Sequence, residues 1–506
     1  MRMLPLSALL IGEPDANAEY FAAKRQNIDP VFPRCFYRPP SFPTDDFHSG
    51  AKYFLYGQKG TGKTAVLRSF EREARKNDSR TKTGFLVFKK AIIEEADLLA
   101  FERLPVTIDE EDVKRTKHYH HALKWLMVLV LLSKILRTND QPGEGDIQDE
   151  DQRALVKKLI NSPVEDVIRL GFESIYSLLA SAQIDVESVT DNRVSLSAGR
   201  LIKRSDDDLT RFLCRRAKDQ SIKARLYVDE IHFAYRDETS LRNDAMLVRD
   251  LILACQSLND RFAEDAIDIA IMASIRSEFL EHPIIATADV NHAVESVGHR
   301  LSWENFPYDL KHPLFDLMNL RMISRHNTPR RMNCLSYISN ISAKEFLNYT
   351  WSKPRDLIRF FRCAASMYPE ATTLTQVQIN AIMRNYAMQS WNEMQAAAAF
   401  LSPAGVAKLG DTLAKSAPLI FDGSLVLTVA AFKDIMKPVY DISIKQLSHM
   451  YDFEHFMRLL YILGIFSTRR QDARDQDIYY SYDRGNKNFH ASGFVMVHPA
   501  VLKAFG

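Results

Sequence analysis

Cysteine is scarce and scattered. The five cysteines, Cys35, Cys214, Cys255, Cys334 and Cys363, form no C-x-x-C pair and no cluster with histidine, which argues against a zinc site and against a disulfide framework. A reducing, cytoplasmic setting is the expectation. Long apolar runs are missing too. The longest, Trp125 to Leu132, lies between Lys124 and Lys134 and falls well short of the roughly 20 residues that cross a bilayer. It is read as a buried helix, and no membrane partner is expected. The opening MRMLPLSALLIG ahead of Ala16-Asn17-Ala18 mimics a secretion signal only superficially, because Pro5 interrupts it and Glu13 and Asp15 follow at once. Charge bias is also absent: 66 Lys and Arg balance 64 Asp and Glu, so contact with nucleic acid would need a local patch. There is no internal repeat, no nucleophile elbow, no HExxH and no cluster of nuclease carboxylates.

What is present is an ordinary globular composition, 46% hydrophobic and 26% charged, long enough at roughly 100–200 residues per domain for two to four domains. Residues 1–50, rich in proline and aromatics, read as an extended arm packed on the core. Residues 51–310 carry four short β-type runs, Lys52–Tyr56, Gly84–Phe88, Arg225–Val228 and Ile267–Met272. Helical segments separate them, which predicts a buried parallel sheet with crossovers. A helical insertion fills 105–215, interrupted by QPGEGDIQDEDQR, which reads as a surface loop. Residues 311–400 read as an all-helical lid, and 401–506 as helices followed by a hairpin at Asp483-Arg484-Gly485-Asn486, the outline of a winged helix.

Gly57-Gln58-Lys59-Gly60-Thr61-Gly62-Lys63-Thr64 matches G-x-x-x-x-G-K-[ST] in full and sits between a strand and a helix, where a phosphate loop belongs. Glycines let backbone N–H groups close on phosphates, and the helix N-terminus adds its dipole. Lys63 is expected to reach the β- and γ-phosphates, and Thr64 to ligate Mg²⁺. Leu226-Tyr227-Val228-Asp229-Glu230 is the expected second half: Asp229 for the metal and Glu230 as general base. At the end of the fourth strand, Arg276 and then Ser274 are candidates to contact the γ-phosphate. In Ser352-Lys353-Pro354-Arg355, proline opens a helix and Arg355 would reach the phosphates from the lid. Arg300 is a candidate arginine finger across a subunit interface. ATP is favoured over GTP because [NT]KxD is missing: its nearest match, Asn486-Lys487-Asn488-Phe489, lacks the acid. The fold class expected is therefore α/β, a P-loop NTPase core of the ASCE type.

With these motifs in place, the chain resembles bacterial P-loop ATPases of the AAA+/STAND group with a C-terminal winged helix. The likeness rests on Gly12-Glu13-Pro14-Asp15-Ala16, YGQKGTGKT, YVDE, the Ser-x-Arg at 274–276, SKPRDLIRF and the ending LYILGIF…VHPAVLKAF. It departs from the group's switch motif at Ser352, where a glycine is common two residues before the proline. The resemblance implies a nucleotide-gated switch, a homo-oligomer and a setting in bacterial antiviral defence. No effector domain is recognisable in this sequence, so the effector or sensor is expected to be encoded separately. Two other functions fit the motifs. One is a DNA-handling ATPase using Arg469, Arg470, Arg474, Arg484 and Lys487 near the wing, although Asp472, Asp475 and Asp477 are interleaved. The other is a nucleotide-clamped scaffold, against which Glu230 argues.

Overall fold

The computed structural model describes residues 3–25, 36–87, 119–136, 147, 149–160, 162–164, 166–167, 169–171, 174, 192–229, 238–280, 285, 288–303, 306–324, 332–397, 403–421, 427–444, 452–471, 477–480 and 493–505. A two-residue strand, β1 (Leu9–Leu10), comes first. The main sheet is made of β2 (Phe54–Gly57), β3 (Lys82–Val87), β4 (Ala224–Asp229), β5 (Ile269–Arg276) and β6 (Gly298–Arg300). All pair parallel, in the order β3-β4-β5-β2-β6. β4 and β5 are buried almost end to end, which is why they read as continuous apolar runs instead of alternating ones.

Helices α1 (Ala16–Arg25), α2 (Lys63–Asn77), α3 (His120–Ile135), α4 (Asn192–Asp219), α5 (Glu238–Glu264) and α6 (Ala288–Val297) belong to this half. α2 packs on β2 to β5, α3 on β3 and β4, and α5 on β5. Val66, Leu67 and Phe70 form the buried face of α2; burying each such side chain contributes about 1.5–3 kcal/mol. The order of strands places β5 between β2 and β4, so the carboxyl ends of all three meet on one edge, where open α/β sheets bind ligands. The apolar run of α3 lies in the same core as the sheet. Within the stretch read as an insertion, α3 is thus part of the sheet's own packing.

Two expectations need correcting. The first fifty residues are not simply extended: Asp15 Oδ1 accepts a hydrogen bond from Ala18 N at 2.8 Å and opens α1, and Thr44–Ser49 is a second short helix. The acidic segment read as a loop ends in a helix start, where Asp149 accepts from the backbone of Asp151 and Gln152 and opens Glu150–Leu159. Strand β1 pairs antiparallel with β7 (Ile323–Ser324).

The second half holds α7 (Pro313–Arg321), α8 (Pro354–Met367), α9 (Gln376–Ala397), α10 (Pro403–Phe421), α11 (Val429–Ile444) and α12 (Phe453–Ile462). Then come β8 (Phe466–Gln471), β9 (Asp477–Tyr480), β10 (Phe494–Val497) and α13 (Pro499–Phe505). The three strands form an antiparallel sheet in the order β10-β8-β9. The described residues of 311–400 and 401–506 share a single hydrophobic core, which also takes in Leu6, Leu9 and Ile11. The expected hairpin at Asp483–Asn486 lies outside the described residues. Among the described residues, no helix is long and apolar enough to cross a membrane.

Candidate functional site

Gly57 ends β2 at a point where no other residue fits, since a Cβ there would lie 2.7 Å from the carbonyl oxygen of Leu301. Gly60 and Gly62 have φ of +90° and +99°, backbone that side chains disfavour. The loop they allow curls over the start of α2, and the Lys63 ammonium donates to the carbonyls of Gly57 at 2.6 Å and Gln58 at 2.9 Å. Trp303 Nε1 donates to Thr61 O at 3.0 Å and props the loop from outside. Lys59, Gly60, Thr61, Gly62, Lys63 and Thr64 line a cavity of about 610 Å³, together with Asp229, Ser274, Arg276 and Arg355. Gln58 points elsewhere: its Nε2 donates to the carbonyl of Ile462 at 2.6 Å.

Asp229 ends β4 and is 1% exposed. Its Oδ1 accepts from Ser274 Oγ on the neighbouring strand, whereas Oδ2 is buried with no hydrogen-bond partner among the described residues. A buried, unsatisfied carboxylate oxygen is costly, and a cation beside it would satisfy it. Asp229 and the Thr64 hydroxyl on the same cavity fit Mg²⁺, which commonly takes one or two protein ligands and completes its shell with water and phosphate. No group of three His, Cys, Asp or Glu able to hold a metal by itself occurs among the described residues. Glu230 lies outside the described residues.

Three candidate arginines have different surroundings. Arg276 stands opposite Gly57 in the parallel register, its guanidinium 5.6 Å from the ring centre of Phe279. Arg355 is close to the loop by backbone and by side chain: its N–H donates to Gly60 O at 3.4 Å, and its Nε to Pro14 O at 3.2 Å. Arg300, on β6 opposite Tyr56, is not among the cavity's lining residues.

Several residues of the site had no motif to announce them. Glu393, on α9, pairs with Arg355 and Arg359 and, at 3.3 Å, with Lys59. Burial alone would raise its pKa; Arg355, Arg359 and Lys59 reverse that and bring the carboxyl down to about 2. Lys59 is shifted down, mainly because burial disfavours its charge. The helix carrying Arg355 is fixed at its start by Pro354 and by Lys353 N donating to Asp356 Oδ2 at 3.2 Å. Glu19 of α1, which also lines the cavity, pairs with Arg321 of α7. These partners come from distant parts of the chain, so no local spacing reveals them.

No family model and no curated protein matches this chain. Among solved structures it is similar to the Aeropyrum pernix Orc1 protein in complex with DNA, with 13% sequence identity and a TM-score of 0.32, over 90% of this chain and 86% of that one. A likeness that loose says nothing about the site. The parallel α/β sheet, with a glycine-rich loop and a buried carboxylate at its carboxyl edge, is the arrangement of a P-loop nucleotide site.

Proposed function

We propose that this chain binds ATP with Mg²⁺, hydrolyses it, and acts as a regulatory switch whose change of shape or oligomeric state is passed to a separately encoded partner. The observation that carries this reading is that the phosphate loop is bonded to both halves of the second core. Gly60 O accepts from Arg355 N, and Gln58 donates to Ile462 O. A loop that reshapes around a γ-phosphate would therefore pull on the lid and on the C-terminal unit together.

In this scheme the backbone of 57–64 and Lys63 hold the phosphates, and Thr64 and Asp229 hold the metal. Mg²⁺, when bound, neutralises charge on the phosphate oxygens. Glu230 orients a water and takes its proton as the water oxygen bonds the γ-phosphorus and the bond to the ADP oxygen breaks. Arg276 contacts the γ-phosphate from β5, and Ser274, whose hydroxyl proton goes to Asp229, holds that carboxylate in place beside it. Arg355 and Lys59 exchange the Glu393 carboxylate for phosphate, so the lid shifts when nucleotide arrives.

The C-terminal unit is read as a winged helix used for protein contact. Supporting this, six of the ten residues of α12 are buried, which leaves little of that helix for a DNA groove. The alternative is a DNA-handling ATPase with Arg469 and Arg470 on β8 at the interface. Duplex binding that falls steeply with salt would favour it.

The test is ATP turnover by the wild type, Lys63→Ala and Glu230→Gln. The reading expects turnover in the wild type, loss of binding in Lys63→Ala, and retained binding without turnover in Glu230→Gln. Equal turnover in all three would remove the site assignment.

A further inference from the structure

The cavity holds a second buried carboxylate that hydrolysis does not use. Glu19 is 6% exposed. One of its oxygens, Oε2, pairs with Arg321 and accepts from Glu13 N at 3.4 Å. Arg321 in turn donates its Nε to Ile11 O at 3.2 Å. The other oxygen, Oε1, is buried and has no hydrogen-bond partner among the described residues. Both Glu19 and Arg321 line the cavity. The pair is locked in place: Gly12, at φ +86°, packs so closely that a Cβ would sit 2.0 Å from Arg321 Nη2 and 3.0 Å from Glu19 Oε1.

A locked, buried acceptor with an unused oxygen calls for a donor from the ligand. The surrounding lining says which part of the ligand supplies it. Phe36, Tyr37, Pro39, Leu317 and Ile358 line the same cavity, and Leu317 lies one turn before Arg321 on α7, on the same helix face. Flat aromatic and aliphatic groups beside a buried acceptor with a spare oxygen suit a planar heterocycle carrying an amino group, more than they suit a hydroxyl-rich sugar. α1 is also tied to the helix that follows the phosphate loop, through Arg68 Nε donating to Asn17 Oδ1 at 3.1 Å.

We propose that Glu19 Oε1 accepts a hydrogen bond from the 6-amino group of adenine and is the residue that selects the base. This rests on the proposed nucleotide site. A base without that amino group leaves the buried oxygen unsatisfied, the situation in which polar sites discriminate most strongly. In Glu19→Gln, Arg321 keeps the amide oxygen and the amide NH₂ faces the adenine amino group, donor against donor.

The experiment compares equilibrium binding of ATP, purine riboside triphosphate (adenine without its amino group) and 2′-deoxy-ATP to the full chain with Mg²⁺. The wild type is expected to bind ATP about tenfold or more tighter than purine riboside triphosphate, the scale of one hydrogen bond to a charged group, and to bind 2′-deoxy-ATP nearly as well as ATP. Glu19→Gln is expected to bring ATP down to the level of purine riboside triphosphate. Should that variant not fold, Glu19→Asp, which keeps the charge and shortens the reach, takes its place and is expected to lose the preference for ATP. Equal binding of ATP and purine riboside triphosphate by the wild type overturns the role of Glu19 while leaving the nucleotide site intact. A loss confined to 2′-deoxy-ATP assigns the oxygen to the sugar and also overturns it. A chain that binds none of the three overturns the nucleotide site itself.

Discussion

Gln58 sits inside the glycine-rich loop, yet its buried side chain donates to the carbonyl of Ile462, 404 residues away. That carbonyl lies at the end of α12, where helices leave carbonyls without internal partners. Gln58→Leu keeps the volume and removes the donor. It is expected to lower unfolding free energy by about 1–3 kcal/mol and to speed amide hydrogen exchange over residues 453–466. Unchanged exchange there would mean that the contact does not hold the C-terminal unit to the loop.

Glu393 gathers three cations, Lys59, Arg355 and Arg359. In Glu393→Gln the cations stay and the anion goes. Stability without nucleotide is expected to fall, because buried charge is left uncompensated. ATP affinity is expected to rise by about tenfold, since phosphate no longer competes with the carboxylate. Thermal melts and a binding titration read both effects, and weaker ATP binding would argue against the exchange.

Asp229 keeps its bond to Ser274 in Asp229→Asn but loses the charge facing the cavity. Turnover is expected to fall on the order of a hundredfold or more, and ATP binding should lose its dependence on Mg²⁺. Binding that still strengthens with Mg²⁺ would show that another group holds the metal.

His312 is expected, with His120, to make stability depend on pH. Burial lowers its pKa to about 4 from the usual 6.5, against the opposing pull of the Trp303 carbonyl and Asp309. Neutral His312 accepts from Leu314 N at 3.2 Å, capping α7, and its other nitrogen lies 3.2 Å from Trp303 O, placed to donate. Between pH 6.5 and 4 the unfolded chain binds the proton and the folded chain does not, so stability falls as pH drops through that window and levels off below it. Melting temperature against pH measures this. His312→Asn retains a capping side chain and should make that part of the profile shallower, with His120, which burial also lowers to about 4, keeping its own share. A profile as steep as the wild type's would place the dependence elsewhere.

What could be read from the sequence is what local chemistry fixes. The glycine-rich loop, the strand ending at Asp229 and the strand ending at Arg276 are each marked by a few consecutive residues, and the sheet brings them to one edge. Arg355 was legible because proline marks the start of its helix; its partner Glu393 was not, because only the packing of α8 against α9 brings them together. Glu19 and Arg321 are 302 residues apart, and nothing local marks either. Gln58 shows the opposite failure, a motif position whose side chain serves another contact. The start of α1 was legible in principle: Asp15 stands just before a run of good helix formers, a capping signal that the proline-rich stretch after it obscured.

The most direct test of the switch is amide hydrogen exchange of the full chain with and without ATP and Mg²⁺, in the wild type and in Lys63→Ala. The account predicts that nucleotide changes exchange in the loop at 57–64 and also in residues 354–367 and 453–466, and that Lys63→Ala abolishes all three changes. A change confined to the loop, with the lid and α12 unaffected, would contradict it.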